Sequence, residues 1–166
     1  MRVALIPGSF DPFHNGHLEV VERASSLFDN VVVAVLRNPQ KSEPLFTLAE
    51  RKEMIEEATQ HLDGIRIVSV ATLVVNVARD VGATAIVKGL RGTVSDFENE
   101  LQMAQMNRQL SGFETIFIPT NPTYSFIASK LLREAARYGG DVSAFVPKVV
   151  AQRLAEKFEG EGGAST

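Results

Sequence analysis

The sequence predicts an α/β protein: a doubly wound, five-stranded parallel sheet with helices on both faces. Three observations predict it. Short apolar runs alternate with segments of helical period along the chain, the pattern of repeated strand–helix–strand units. The run Val31 to Leu36 is apolar without alternation and β-branched, as in strands covered on both faces. The length of 166 residues with 45% hydrophobic content suits one domain around one core, here residues 1–159 followed by a flexible Gly-rich tail over 160–166.

The elements follow in order. Residues 3–7 make the first strand. Residues 16–28 make a helix with Leu18, Val21, Ala24, Leu27 and Phe28 on one face, and residues 31–36 the second strand. Thr47 opens the next helix, with Glu50 three residues on completing a capping box; that helix runs to about His61. Residues 65–70 are a strand, and 73–82 a helix stopped at Gly82. The fourth strand spans 84–89. A long helix over 95–110 starts at a second capping box, Ser95 and Glu98. The fifth strand is 115–119. Residues 125–139 form a helix ended by Gly139, and 147–159 the last helix, with Pro147 at its start.

Composition excludes several function classes. There is no cysteine, so disulfides, thiolate metal sites and cysteine nucleophiles are out. The net charge is -3 and no strongly basic face stands out, so no nucleic-acid polymer is expected as partner. No apolar run approaches a membrane span, and the first residues are too short for a leader. A cytoplasmic protein is expected.

In a parallel sheet, ligands gather beyond the carboxyl ends of the strands. Those segments hold Gly8 to His17, Lys41, Lys88 and Arg91, and Ser125, Ser129 and Lys130 at a predicted helix start. Cations, glycines and helix N-termini together suit a small, strongly anionic ligand. His14 and His17 are too few for a structural zinc site; they either meet phosphate or cap a helix. Phe10, Phe13 and Phe97 are expected to pack rather than stack on a ligand, and no carboxylate pair stands out as an acid–base couple.

The stretch "GSFDPFHNGH" resembles the T/HxGH signature of the nucleotidyltransferase superfamily, written here His14-Asn15-Gly16-His17. "FIASKLLREAARYGGD", with Arg133, resembles the second signature, a serine-rich helix start followed by a basic residue. "NPQK" before "LFTLAER", "IVKGLRGTVSDFENELQMAQMNRQL" and "GGDVSAFVP" are similar to bacterial phosphopantetheine adenylyltransferases, over about residues 2–157. The resemblance implies a Rossmann-like nucleotidyltransferase fold. It also implies transfer of AMP from ATP to 4'-phosphopantetheine with Mg²⁺ held by the ATP phosphates, and a homohexamer inhibited by CoA. It places Ser9, Phe10, His17, Gly89, Leu90, Arg91, Glu100 and the run Tyr124, Ser125, Phe126, Ile127, Ala128, Ser129, Lys130 at ATP. His17 would stabilise the transition state. Ser9, Lys41, Val74 and Lys88 would bind the acceptor, and His14 would be an ancillary phosphate contact.

Three positions depart from the pattern. His14 stands where Thr is more usual, and Ala128 and Lys130 replace serines. Lys130 is expected to reach a phosphate or to turn to an acidic neighbour. Two other readings stay open: nicotinate mononucleotide adenylyltransferase, and a nucleotide sensor without activity.

Overall fold

The structure is a computed structural model, and residues 1–39 and 43–160 are described. Lys41 and the expected tail beyond Gly160 lie outside them. The elements run β1 (Val3–Gly8), α1 (Asn15–Leu27), β2 (Asn30–Leu36), α2 (Leu48–Ala58), β3 (Ile65–Val70), α3 (Val74–Asp80), β4 (Ala85–Leu90), α4 (Val94–Ser111), β5 (Thr115–Pro119), a 3-10 turn (Pro122–Tyr124), α5 (Ser129–Arg137) and α6 (Lys148–Glu159).

The sheet is five-stranded and parallel, in the order β3-β2-β1-β4-β5. The chain winds outward from β1 through β2 and β3, then returns to lay β4 on the other side of β1. In register, Val3 lies opposite Asn30 and Ala4 opposite Ala85. The carboxyl ends of β1 and β4 therefore flank the point where the winding reverses, which opens a crevice there.

Both faces of the sheet are covered, and residues alternate between them. Ala4, Ile6, Val31, Val33 and Val35 pack with α1, α2, α5 and α6. Val3, Leu5, Val32 and Ala34 pack with Val77 and Ala78 of α3. α1 fits closely on β4: a Cβ at Gly89 would lie 2.7 Å from Val20 Cγ2, so only glycine admits the helix there.

Most elements match the expected spans, and the differences have local causes. The α2 capping box is present, with Thr47 and Glu50 bonded reciprocally. In α4 the cap is Thr93, whose hydroxyl accepts from Asp96 N–H, so the helix starts before the expected Ser95 box. The helix expected from residue 125 begins at Ser129. Asn121 caps Thr123 N–H in a turn with Pro122 in its first positions, and Ala128 is extended, which separates that turn from α5. Leu27 and Phe97 are exposed, at 54% and 46%. Of the expected α1 face, Val21 and Ala24 are buried and Leu18 and Phe28 pack partly buried against the core, with Val20 joining them in place of Leu27; Phe97 is not a core residue.

Candidate active site

His14 closes the loop after β1. Its Nδ1 accepts from the N–H groups of Gly16 (3.1 Å) and His17 (3.3 Å), capping α1. In return His17 Nδ1 accepts from His14 N–H at 3.2 Å. This is a capping box built from two imidazoles. The rings stack with centroids 3.6 Å apart, and Phe10 and Phe13 pack on His17 at 4.9 and 5.6 Å. Gly16 makes the arrangement possible, because a Cβ there would lie 2.9 Å from His14 Cε1.

The geometry sets the protonation pattern. Both Nδ1 atoms accept, so each ring, when neutral, carries its proton on Nε2. Burial, and secondarily the charge of Arg91, lowers the His14 pKa from 6.5 to about 3. His14 is thus a neutral group at pH 7.

The two helix starts near the crevice differ. At α1 the first N–H groups are taken: Asn15 N–H donates to Phe145 O at 2.9 Å, and Gly16 and His17 donate to His14. The expected open phosphate site at α1 is therefore closed by the protein itself. At α5 no side chain caps the helix, and Ser129 Oγ donates to Pro12 O at 2.8 Å. Among the described residues, then, α5 is the helix start near the crevice whose N–H groups no side chain caps, at the positive end of the helix dipole.

A cavity of about 760 Å³ fills the crevice. It brings together Ser9, Phe10, His14, His17, Lys88, Gly89, Arg91 and Glu100 with Tyr124, Ala128, Ser129 and Lys130. Phe10 is only 5% exposed, and its backbone is left-handed with φ 50°, an uncommon conformation for a bulky residue. Arg37 and Arg133 add further cations.

Two of the cations are held by carboxylates of α4. Lys88 Nζ lies 3.4 Å from Glu100 Oε1. Arg91 Nη2 donates to Asp96 Oδ1 at 3.1 Å, and Arg91 Nη1 to Ile127 O at 3.1 Å. The pairs tie the end of β4 to α4 and to the loop before α5. Lys130 stands in the first turn of α5, where there is no acidic residue. No acidic side chain of the described residues pairs with it.

Four of the residues expected at the nucleotide lie outside this wall. Leu90 contributes its carbonyl to Thr120 N–H at 2.8 Å. Ser125 Oγ donates to Pro122 O at 2.9 Å. Phe126 is 60% exposed and meets Phe145 edge-on at 5.5 Å. Ile127 is buried, with its carbonyl on Arg91.

Val74 lines a second cavity of about 270 Å³, with Leu36, Ile86, Met103 and Ala104 as further apolar lining. This cavity shares Ser9, Lys88 and Glu100 with the first. Thr115 Oγ1 lies in its lining residues and is buried without a hydrogen-bond partner among the described residues.

Sequence reasoning missed Asp11, Arg51 and Asp96, all of which line the large cavity. Asp96 had a readable signal: it precedes Glu100 by four residues, so both carboxylates share one helix face. Asp11 and Arg51 had none: Asp11 accepts from the distant Leu45 and Phe46 N–H groups, and Arg51 joins the nearby Phe46 and Thr47 carbonyls to those of Ser9 and Leu36. Burial lowers the Arg51 pKa, and the nearby Asp11 charge opposes that shift.

The family described as cytidylyltransferase-like matches residues 5–135. The chain belongs to the cytidylyltransferase-like family. It has the five-stranded parallel, Rossmann-like fold of the nucleotidyltransferases. Two solved structures of a bifunctional NMN adenylyltransferase/ADP ribose pyrophosphatase from Francisella tularensis are similar. One, complexed with AMP and a manganese ion, has a TM-score of 0.66 at 16% identity over 98% of this chain. The other has a TM-score of 0.73 at 15% identity over 95%. The chain spans 53% and 50% of their lengths, and at these identities the likeness is one of fold. Among the described residues no helix is long and apolar enough to cross a membrane.

Proposed function

We propose that the protein is a single-domain adenylyltransferase that moves AMP from ATP to 4'-phosphopantetheine, giving dephospho-CoA and pyrophosphate. The observation that carries this reading is the second cavity. It shares Ser9 and Lys88 with the large cavity and has apolar walls at Val74, Leu36 and Met103. That is a slot for a long, flexible arm ending in a phosphate.

The reaction needs little from the protein in proton chemistry. An oxygen of the acceptor phosphate attacks the α-phosphorus of ATP, and the bond from that phosphorus to the bridging oxygen breaks. Pyrophosphate leaves. The attacking group is already anionic, so alignment and charge stabilisation are the main tasks. Ser9 and Lys88 hold the acceptor phosphate, with Lys41 added on the resemblance. Gly89, Tyr124 and Ala128 line the cavity at the nucleoside, while Leu90 and Ile127, outside that wall, act through their carbonyls on Thr120 and Arg91. Arg91, Ser129, Lys130 and the α5 start meet the ATP phosphates, and Nε2–H of His17 donates to the oxygens on which charge develops. His14, through Nε2–H, is an ancillary neutral donor. Glu100 keeps Lys88 in place.

A divalent ion fits as part of the nucleotide rather than as a resident of the protein. Among the described residues no three His, Asp or Glu side chains cluster as a cage. Mg²⁺ bound to ATP supplies charge neutralisation on the phosphates, held by their oxygens and water. CoA carries the same arm as the acceptor and competes in the second cavity. A homohexamer accords with α4, which buries no residue and exposes Met103, Met106 and Leu110 at 58% each.

Nicotinate mononucleotide adenylyltransferase is the second reading, favoured by the HxGH form of the signature. Titration calorimetry separates the two. We expect 4'-phosphopantetheine to bind, nicotinate mononucleotide not to, and Val74→Asp to weaken the former about tenfold or more by placing a charge against the arm. Binding of the nicotinate compound alone would overturn the assignment.

A further inference from the structure

Asp11 and Arg51 are charged residues with 7% and 3% exposure, and no role in binding or chemistry has yet been given to either. Burying both is costly, since apolar side chains of similar size often serve stability as well. Their partners show what the pair achieves. Asp11 Oδ2 accepts from Leu45 N–H at 2.9 Å, and Oδ1 from Phe46 N–H at 3.0 Å. Arg51 Nη1 donates to Ser9 O at 2.7 Å and to Leu36 O at 3.3 Å. Arg51 Nε donates to Phe46 O at 3.0 Å and Thr47 O at 3.3 Å.

These bonds join two loops. One follows β1 and carries Ser9 to His17. The other links β2 to α2, and the pair grips both of its ends, Leu36 on one side and Leu45 to Thr47 on the other. Arg133 of α5 donates to Asp11 O, so the uncapped helix start is fastened to the same point. From the end of β2 the connection to α2 lines the second cavity, the acceptor's in the proposed function, through Leu36 and Asn38, and the large cavity through Arg37, Asn38, Glu43 and Pro44. Both Asp11 oxygens are turned to backbone N–H groups, which keeps a negative charge from facing a bound phosphate.

We infer that Asp11 and Arg51 are positioning residues that set the spacing between the loop holding the nucleotide phosphates and the wall closing on the acceptor. The inference rests on the adenylyl-transfer reading. In-line transfer is sensitive to small misplacements of the two phosphates, so loosening this fastening acts on turnover and on the acceptor more than on ATP.

The test uses Asp11→Asn and Arg51→Lys in the full chain, assayed well below each variant's unfolding temperature. Asn offers one acceptor and presents N–H to N–H at the other; Lys keeps the charge but cannot span several carbonyls. The expected result is kcat down about tenfold or more and acceptor KM up about fivefold or more, with the ATP Kd, measured without acceptor, within about twofold. Amide exchange at Leu45 to Thr47 should quicken in both. Arg51→Lys is the second variant if Asp11→Asn does not fold. Unchanged kcat and KM in a folded variant whose Leu45 to Thr47 amides exchange faster would overturn the inference, as would an ATP Kd weakened as much as the acceptor KM. The wild type assayed alongside isolates the underlying reading. If it does not turn over 4'-phosphopantetheine, that reading fails, and the same split is then expected with the acceptor it does use.

Discussion

At the residue scale, the two histidines of the first loop have different work despite touching rings. His14 is held neutral by burial, with its pKa lowered from 6.5 to about 3. Between those values the unfolded chain takes up a proton that the folded chain refuses. Stability therefore does not depend on His14 above about pH 6.5 and falls as pH drops through the window from 6.5 towards 3. At pH 4.5 the loss relative to pH 7 is roughly 2–3 kcal/mol from this group. His14→Thr keeps a side-chain oxygen at the cap and removes the titration. Thermal unfolding at the two pH values should show a smaller loss in the variant by about that amount; equal losses would mean that His14 titrates normally in the fold. In the proposed reaction His17 acts on charge that develops only during transfer. His17→Ala is expected to lower kcat by about 10²- to 10³-fold, with the ATP KM changed only a few-fold. A raised KM with kcat intact would place His17 in ground-state binding instead.

At the element scale, the caps decide where the site's groups point. Thr93 caps α4, and α4 carries Asp96 and Glu100 to Arg91 and Lys88. Thr93→Ala should cost about 1 kcal/mol, read as a few degrees of melting temperature, whereas Ser95→Ala should cost almost nothing. The reverse would restore Ser95 as the cap. Elements with strong periodicity were legible in the sequence: β3 and β5 match to the residue. The α2 box was legible because Thr47 and Glu50 are local to each other. Two helix starts were not. Ser95 and Glu98 carry the right residue types, but Thr93 lies earlier and captures Asp96 N–H first. The α5 start depends on the turn at Pro122 and the extended Ala128, which no helical period reveals. Likewise the closed N-terminus of α1 depends on an imidazole accepting from Gly16 and His17 and on Phe145, 130 positions away in sequence, accepting from Asn15.

At the scale of the whole molecule, the order β3-β2-β1-β4-β5 brings chemistry from distant parts of the chain to one crevice. The loop after β1 supplies Ser9 and His17, the end of β4 supplies Lys88 and Arg91, and α5 supplies its open helix start. The sequence placed these at strand ends correctly because a parallel sheet leaves few other places for a ligand. It could not indicate the counter-charges. Asp96 and Glu100 balance the cations, so the site holds Arg91 and Lys88 in place within a chain of net charge -3. That the two cavities share Ser9 and Lys88 was also invisible, because it depends on how α4 packs beside β4. The proposed acceptor, with a phosphate at one end and an apolar arm at the other, is read from that shared lining. The most direct measurement is pyrophosphate release from ATP and Mg²⁺, run in parallel with 4'-phosphopantetheine and with nicotinate mononucleotide, with the product mass determined. The account predicts turnover with 4'-phosphopantetheine alone and a product of the mass of dephospho-CoA; turnover with nicotinate mononucleotide alone, or with neither, would contradict it.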